Sequence, residues 1–321
     1  MGKTAFLFPG QGSQSVGMVR SLMEERAAVE LFGQASEILG LDLWGLCLNG
    51  PDEKLNEDYY AQIAVHVTNC AFHAAMERRR MRPQLVSGFS LGLFSAAVAA
   101  GAISFVQSLR AVSMAAEMMA KMGERQKGAM AAVIGLTEGD VRTICEGVPG
   151  VFVASVNNAR QIVIAGQERG VERAMKLSQK HGALLTRRLP VGWAIHTPLM
   201  EEVSQNFIRI IHDWTFEPPR VPIMSYLRAK MLSTSEELRE DLGGQFSRPN
   251  RWYEALRGMI EGGVDRFIEV GPGDVLTRMV QWVSRDVRAE TAGEILEAEG
   301  GDGQEVRRFS PLRSSILRGK S

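Results

Sequence analysis

Residues 84–102, QLVSGFSLGLFSAAVAAGA, read as a short apolar strand, a Gly-x-Ser-x-Gly turn and an alanine-rich helix. A strand that turns this sharply into a helix strains the central residue and lifts its side chain clear of a sheet edge. The flanking glycines let neighbouring backbone approach closely. The helix start beneath offers free N–H groups to a developing negative charge. Gly-x-Ser-x-Gly is a loose pattern and also serves as a plain strand–helix connection. The apolar strand before it and the helix after it favour Ser90 as a nucleophile.

The rest of the chain agrees with such a sheet. KTAFLFPGQGSQ opens as a strand ending in a glycine-rich loop, and helical patterns follow at 17–39 and 59–80, with a methionine-rich helix at about 105–121. Residues 128–190 have their own order, β-α-β-β-α-β, the split ferredoxin-like pattern, with Thr137 as a helix N-cap. Beyond them, DRFIEVGPG reads as a further strand. The expected fold is α/β: a large unit with a parallel sheet, residues 1–127 and 191–287, carrying a ferredoxin-like insert at 128–190. From 288 to 321 the sequence turns polar and Gly-punctuated and is expected to be a loosely attached tail.

A serine nucleophile needs a base. Of five histidines, His196 follows the strand-like run Leu189 to Ile195 and precedes Thr197-Pro198, a helix start. A histidine just past a strand end belongs at the sheet edge where Ser90 would stand. His66 and His73 lie seven residues apart on one helix and suggest packing before a metal site. His181 sits at a helix C-terminus and His212 beside Asp213 in a turn. The loop FPGQGSQ lacks the Gly-Lys-Ser/Thr of a phosphate-binding loop, which argues against a nucleotide site. Read alone it is an ordinary loop, with the option of turning a backbone N–H such as that of Gln11 toward an oxyanion.

Composition narrows the class. The 321 residues are 45% apolar and 23% charged, and 37 basic residues balance 37 acidic ones, so charge argues neither for nor against nucleic acid. No apolar run reaches membrane-spanning length, and the N-terminus lacks the features of a signal peptide. Cys47, Cys70 and Cys145 form no C-x-x-C pair and are expected to be reduced and buried, in a cytoplasmic protein.

FPGQGSQSVGM, GFSLG, GAMAAVIGL, QIVIAG, IHTPLM and EVGPGDVLT occur in an order and spacing that resembles the malonyl-CoA:acyl carrier protein transacylases and the related acyltransferase domains of fatty acid and polyketide synthases. The resemblance covers about residues 4–285. It implies an α/β-hydrolase-like large domain with a ferredoxin-like insert, no cofactor and no metal. It implies a ping-pong reaction in which Ser90 takes an acyl group from a coenzyme A thioester and passes it to the phosphopantetheine thiol of an acyl carrier protein. His196 is then general base and acid. The resemblance assigns the oxyanion hole to the backbone N–H groups of Gln11 and Leu91, and the carbonyl that orients the histidine to Gln245. A carrier protein and a coenzyme A thioester are the implied partners; neither nucleic acid nor membrane is expected.

The departures concern the acyl pocket. Relatives usually carry histidine where this chain has Phe89, and many carry glutamate at Leu93. Malonyl-specific relatives carry an arginine in the helix containing VSMAAEMMAK, at the position matching Ala115. That arginine would pair bidentately with the malonyl carboxylate. Trp193 and Ile195 stand in the segment that tracks acyl choice in polyketide acyltransferases, and match neither its common malonyl nor its methylmalonyl version. Phe89, Leu93, Ala115, Trp193 and Ile195 together describe a pocket suited to a neutral short acyl chain. Arg160, Arg187, Arg188 and Arg251 are the candidates for a compensating cation. Arg187, Arg188 and the run RRRMR at 78–82 are candidates for meeting an acidic carrier protein. The same motifs admit two rivals: a hydrolase clearing acyl groups from carrier proteins, and a catalytically degenerate partner subunit.

Overall fold

The computed structural model describes residues 2–125 and 127–300. Among the described residues, ten strands form two sheets. β1 (Lys3–Phe8), β2 (Leu85–Gly88), β7 (Ile223–Ser225), β8 (Lys230–Leu232), β9 (Val264–Glu269) and β10 (Arg288–Thr291) make the larger sheet. Its order is β10-β9-β1-β2-β7-β8, parallel throughout except for β8. β1 from Ala5 onward and all of β2 are buried on both faces, as central strands of a parallel sheet are.

The smaller sheet holds β3 (Gly128–Ile134), β4 (Val151–Asn158), β5 (Gln161–Gln167) and β6 (Leu185–Arg188) in the antiparallel order β4-β5-β3-β6. Helices Glu138–Glu146 and Glu168–Lys180 complete the β-α-β-β-α-β pattern, and Thr137 caps the first through a reciprocal bond with Asp140. Helix faces and sheet share a separate apolar core including Val141, Ile144, Ile162 and Ile164.

Two expectations need correction. The change of composition at 288 does not end the fold. Residues 288–291 form β10 beside β9, and the helix Ala292–Gly300 buries Ala292 and Leu296 in the main core. The polar residues that suggested a tail belong to an edge strand. Glu290 accepts from Arg266 at 2.6 Å and from Arg288 at 2.7 Å. The remainder of the expected tail, 301–321, lies outside the described residues. Second, Leu189 to Ile195 is not a strand. It is an irregular crossing between the sheets, tied down by Leu189 N–H to Met130 O and Gly128 N–H to Gly192 O. Its apolar side chains face cores on both sides of the crossing, which imitates a buried strand in sequence.

The three cysteines are buried and unpaired. Among the described residues no helix is long and apolar enough to cross a membrane.

Candidate active site

Parallel pairing sets two loops side by side. Phe8 is in register with Gly88, so the loop after β1 and the turn after β2 leave the sheet at one level. Phe89 N–H donates to Phe8 O at 2.9 Å and ties them together. A Cβ on Gly88 would lie 2.1 Å from the Gly92 carbonyl group, and one on Gly92 would lie 2.0 Å from Phe8 O. Both glycines are therefore required by contact, and the turn they permit holds Ser90 at φ 54°. A non-glycine residue in that region carries strain of about 1–3 kcal/mol, held by the surrounding packing.

The Ser90 Oγ lies 2.9 Å from His196 Nε2. His196 also has left-handed backbone, φ 65°. Residues just past the helix Ser235–Gly244 clamp it twice: His196 Nδ1–H donates to Gln245 O at 2.7 Å, and His196 N–H donates to Phe246 O at 2.7 Å. A carbonyl at a helix C-terminus lacks an intrahelical partner and carries partial negative charge, so it fixes the tautomer and favours the imidazolium when it forms. Burial pushes the His196 pKa down to about 4, against the opposing pull of the Gln245 and Arg248 backbone. The ring is therefore neutral near pH 7, with Nε2 free to accept the serine proton.

Among the described residues, the N–H groups of Ser90 and Leu91 at the elbow, and those of Gly10 and Gln11 in the loop after β1, make no hydrogen bond. At the start of the helix Gly92–Ala99, the N–H groups of Gly92, Leu93 and Phe94 turn back to Phe89 O, Ser90 O and Leu91 O, while those of Ser90 and Leu91 do not. In the other loop Gly12 N–H donates to Gln14 Oε1 and Ser13 N–H to Gly10 O, while the N–H groups of Gly10 and Gln11 stay unbonded. The Gln11 side chain is anchored by Asp58, which accepts from Nε2 at 2.5 Å. Burial raises the Asp58 pKa, and the Gln11 bond opposes the rise.

Tyr226 has no counterpart in the sequence reading. It follows β7 at the same sheet edge and is fully buried. Its hydroxyl donates to Gln245 Oε1 at 3.2 Å, and its ring meets the His196 ring edge-on at 6.1 Å. Burial holds its pKa well above the usual tyrosine value; nearby Asp241 adds to the rise and a bond with Ser90 opposes it. A single tyrosine outside any recognisable motif gives no signal in sequence.

The acyl-pocket residues fall in different surroundings. Leu93 (0% exposed) and Ala115 (2%) are sealed in the main core. Phe89 packs edge-on against Trp252 at 5.3 Å. Trp193 lies over Gly123, where a Cβ would come within 2.6 Å of its ring. Ile195 packs against both the main core and the patch under the smaller sheet. Three of the candidate cations are engaged elsewhere. Arg160 donates to Gly135 O at 3.2 Å, Arg188 pairs with Glu168 and Glu172, and Arg251 is held by Glu254 and Arg228 O.

The other histidines have their own settings. His66 lies between Ser95 and Ser108, and His73 meets the rings of Phe6 and Phe8. His181 ends the helix Glu168–Lys180, and His212 pairs with exposed Asp213.

A serine on an elbow, hydrogen-bonded to a histidine that a carbonyl orients, is an arrangement suited to nucleophilic acyl transfer. Residues 5–306 match the model of the acyl transferase domain. The chain belongs to that family. It is an acyltransferase, with the family's mixed α/β fold. It is 34% identical over 299 residues to the malonyl CoA-acyl carrier protein transacylase of Escherichia coli (strain K12), covering 92% of this chain and 97% of the relative. Among solved acyltransferases, the malonyl CoA-acyl carrier protein transacylase of Coxiella burnetii superposes with a TM-score of 0.89 at 31% identity, covering 93% and 96% of the two chains. A malonyl-transacylase solved in complex with its type II PKS acyl-carrier protein gives a TM-score of 0.88 at 32% identity, covering 93% and 99%.

Proposed function

We propose that this chain is a cytoplasmic enzyme that moves an acyl group from a coenzyme A thioester to the phosphopantetheine thiol of an acyl carrier protein, through an acyl-Ser90 intermediate. The observation that carries the reading is the line Ser90 Oγ–His196–Gln245 O, at 2.9 and 2.7 Å. His196 Nε2 takes the Ser90 proton as Oγ attacks the thioester carbonyl. The N–H groups of Gln11 and Leu91 receive the oxyanion. His196 then gives its proton to the departing coenzyme A thiolate. In the second half-reaction it deprotonates the carrier thiol, which attacks the acyl-serine and restores Ser90. Every proton is carried by Ser90, His196 or a thiol, so the chemistry calls for no cofactor. Pairing with a carrier protein follows from the relatives' names and from the solved complex of a malonyl-transacylase with its carrier. Hydrolysis and a non-catalytic role are not favoured.

The relatives' names give malonyl as the donor. The side chains here favour a neutral short acyl group. Ala115 stands where a carboxylate-binding arginine is expected, and Arg160, Arg188 and Arg251 have partners elsewhere. With Phe89 beside Ser90 and alanine at 115, a malonyl carboxylate buried with the acyl group would lack its cation and carry a high desolvation cost.

The test is transfer to a holo acyl carrier protein, followed by carrier mass with malonyl-, acetyl- and butyryl-CoA as donors. The reading expects acyl-carrier product with the wild-type chain and none with Ser90→Ala. Carrier-independent release of free acid as the sole product would contradict it.

A further inference from the structure

The oxyanion reading depends on where the Gln11 N–H points, and that loop is gripped from below. Asn69, on the helix Asp58–Arg78, is fully buried (0% exposed). Its Nδ2 donates to Pro9 O at 2.9 Å and to Ser95 Oγ at 3.2 Å. Since Pro9 O can only accept, the amide orientation is determined. Asn69 Oδ1 faces the backbone of Gly271, where a Cβ would come within 2.1 Å, and has no hydrogen-bond partner.

Behind Asn69 the polar groups run one way. Ser95 Oγ receives from Asn69 and lies 2.9 Å from His66 Nδ1; His66 Nε2 lies 2.9 Å from Ser108 Oγ; Ser108 donates to Phe94 O at 3.4 Å. With the proton of His66 on Nε2, each group donates to the next. The chain crosses the core of the large unit, joins three helices and ends on the loop after β1.

The loop has little room to move otherwise. A Cβ on Gly10 would lie 2.6 Å from Phe89 O, and one on Gly271 would lie 2.6 Å from the Pro9 ring. The same helix holds Gln11 through Asp58, eleven residues before Asn69. At 3.6 residues per turn, that spacing puts both grips on one face.

We propose that Asn69 is a positioning residue for the reaction, holding Pro9 O so that the Gln11 N–H is aimed at the oxyanion formed on Ser90. The inference rests on the acyl-serine reading above. A buried amide with an unpaired oxygen works against stability. An apolar side chain of similar size would fill the space, so the amide's distinctive contribution is its two bonds, of which the shorter, to Pro9 O, reaches the loop after β1. Departures of this kind from packing rules concentrate at functional sites.

The experiment compares Asn69→Leu with Ser108→Ala, which cuts the far end of the same chain. Initial acylation rates by CoA thioesters, labelling of Ser90 by a serine-directed phosphonate, and melting temperature are measured for each. Losing one oxyanion donor outright costs about 100- to 1,000-fold, so misaiming it should lower kcat about 10- to 100-fold, with KM within about twofold. Phosphonate labelling should slow in parallel, while Ser108→Ala keeps kcat within about twofold of wild type. If Asn69→Leu fails to fold, Asn69→Ser takes its place in the same comparison. Equal kcat in the two variants, or a loss confined to KM, would overturn the inference. Failure of the wild-type chain to acylate at all would instead sink the acyl-serine reading.

Discussion

Ser90 and His196 face each other at 2.9 Å across the end of the parallel sheet, and both hold left-handed backbone, at φ 54° and 65°. Strain on both partners of one hydrogen bond means the packing around them determines the pair. For Ser90 that packing is Gly88 and Gly92 against neighbouring backbone. For His196 it is the double clamp from Gln245 and Phe246.

Removing the base should slow acylation without unfolding the protein. General acid–base groups contribute about 100- to 10,000-fold, so His196→Ala should lower the Ser90 acylation rate within that range. Stopped-flow release of the coenzyme A thiol measures it. A loss under threefold would show that another group takes the proton.

The pH dependence of acylation should extend unusually far toward acid. An unperturbed histidine base loses half its activity near pH 6.5. His196 is pushed down to about 4 by burial. Acylation rates measured from pH 4 to 8 should therefore stay flat through pH 6.5 and fall only near pH 4. An acid limb centred on 6.5 would show that the ring is hydrated in solution.

Gly92→Ala should destroy the elbow. Its Cβ would sit 2.0 Å from Phe8 O, a backbone atom that cannot swing away. Overpacking costs typically about 1–3 kcal/mol, and here relief requires separating the helix Gly92–Ala99 from β1. Melting temperature should fall and phosphonate labelling of Ser90 should be lost. Normal labelling would mean that the turn has more slack than these contacts allow.

Glu269 gives a stability prediction of the less usual sign. It is almost wholly buried at the end of β9, accepts from Thr277 N–H at 2.7 Å, and has Oε1 unpaired. Burial lifts its pKa from 4.5 to about 7, against the helix N–H bonds that favour the charged form. The folded state thus keeps a proton that the unfolded state releases above pH 4.5. The stabilisation is fully present below 4.5 and is lost as pH rises through 7, by about 3 kcal/mol in all. Glu269→Gln should remove this slope, melting above the wild type at pH 8 by more than it does at pH 5. Parallel melting curves across that range would refute the assignment.

The donor should be neutral. Taking one partner from a desolvated charge pair costs about 2–5 kcal/mol, so butyryl- or acetyl-CoA should acylate Ser90 at least about 30-fold more efficiently than malonyl-CoA. A malonyl preference would require a cation in the pocket.

Much of this site was legible in the sequence because it depends on short-range contacts. The strand–turn–helix at Ser90 carries its own signature, since Gly88 and Gly92 are demanded by atoms within a few residues or on the adjoining strand. The insert was legible for the same reason: its strands and helices alternate with clear periodicity, and Thr137 marks a helix start as an N-cap. What failed depended on long-range packing. The run before His196 imitates a strand because two cores claim its side chains. Residues 288–291 look like a tail because an edge strand is polar, and its pairing with β9 is a tertiary fact. Tyr226 and Asn69 touch the site through chain segments far away in sequence, without a motif to mark them.

Intact-protein mass decides whether Ser90 carries the acyl group. The chain is mixed with malonyl-, acetyl- or butyryl-CoA, beside Ser90→Ala. An acyl-serine enzyme gives a single acyl adduct on the wild-type chain, absent from Ser90→Ala and discharged by a holo acyl carrier protein. No adduct with any donor, or an adduct that persists in Ser90→Ala, would contradict an acyl-Ser90 intermediate.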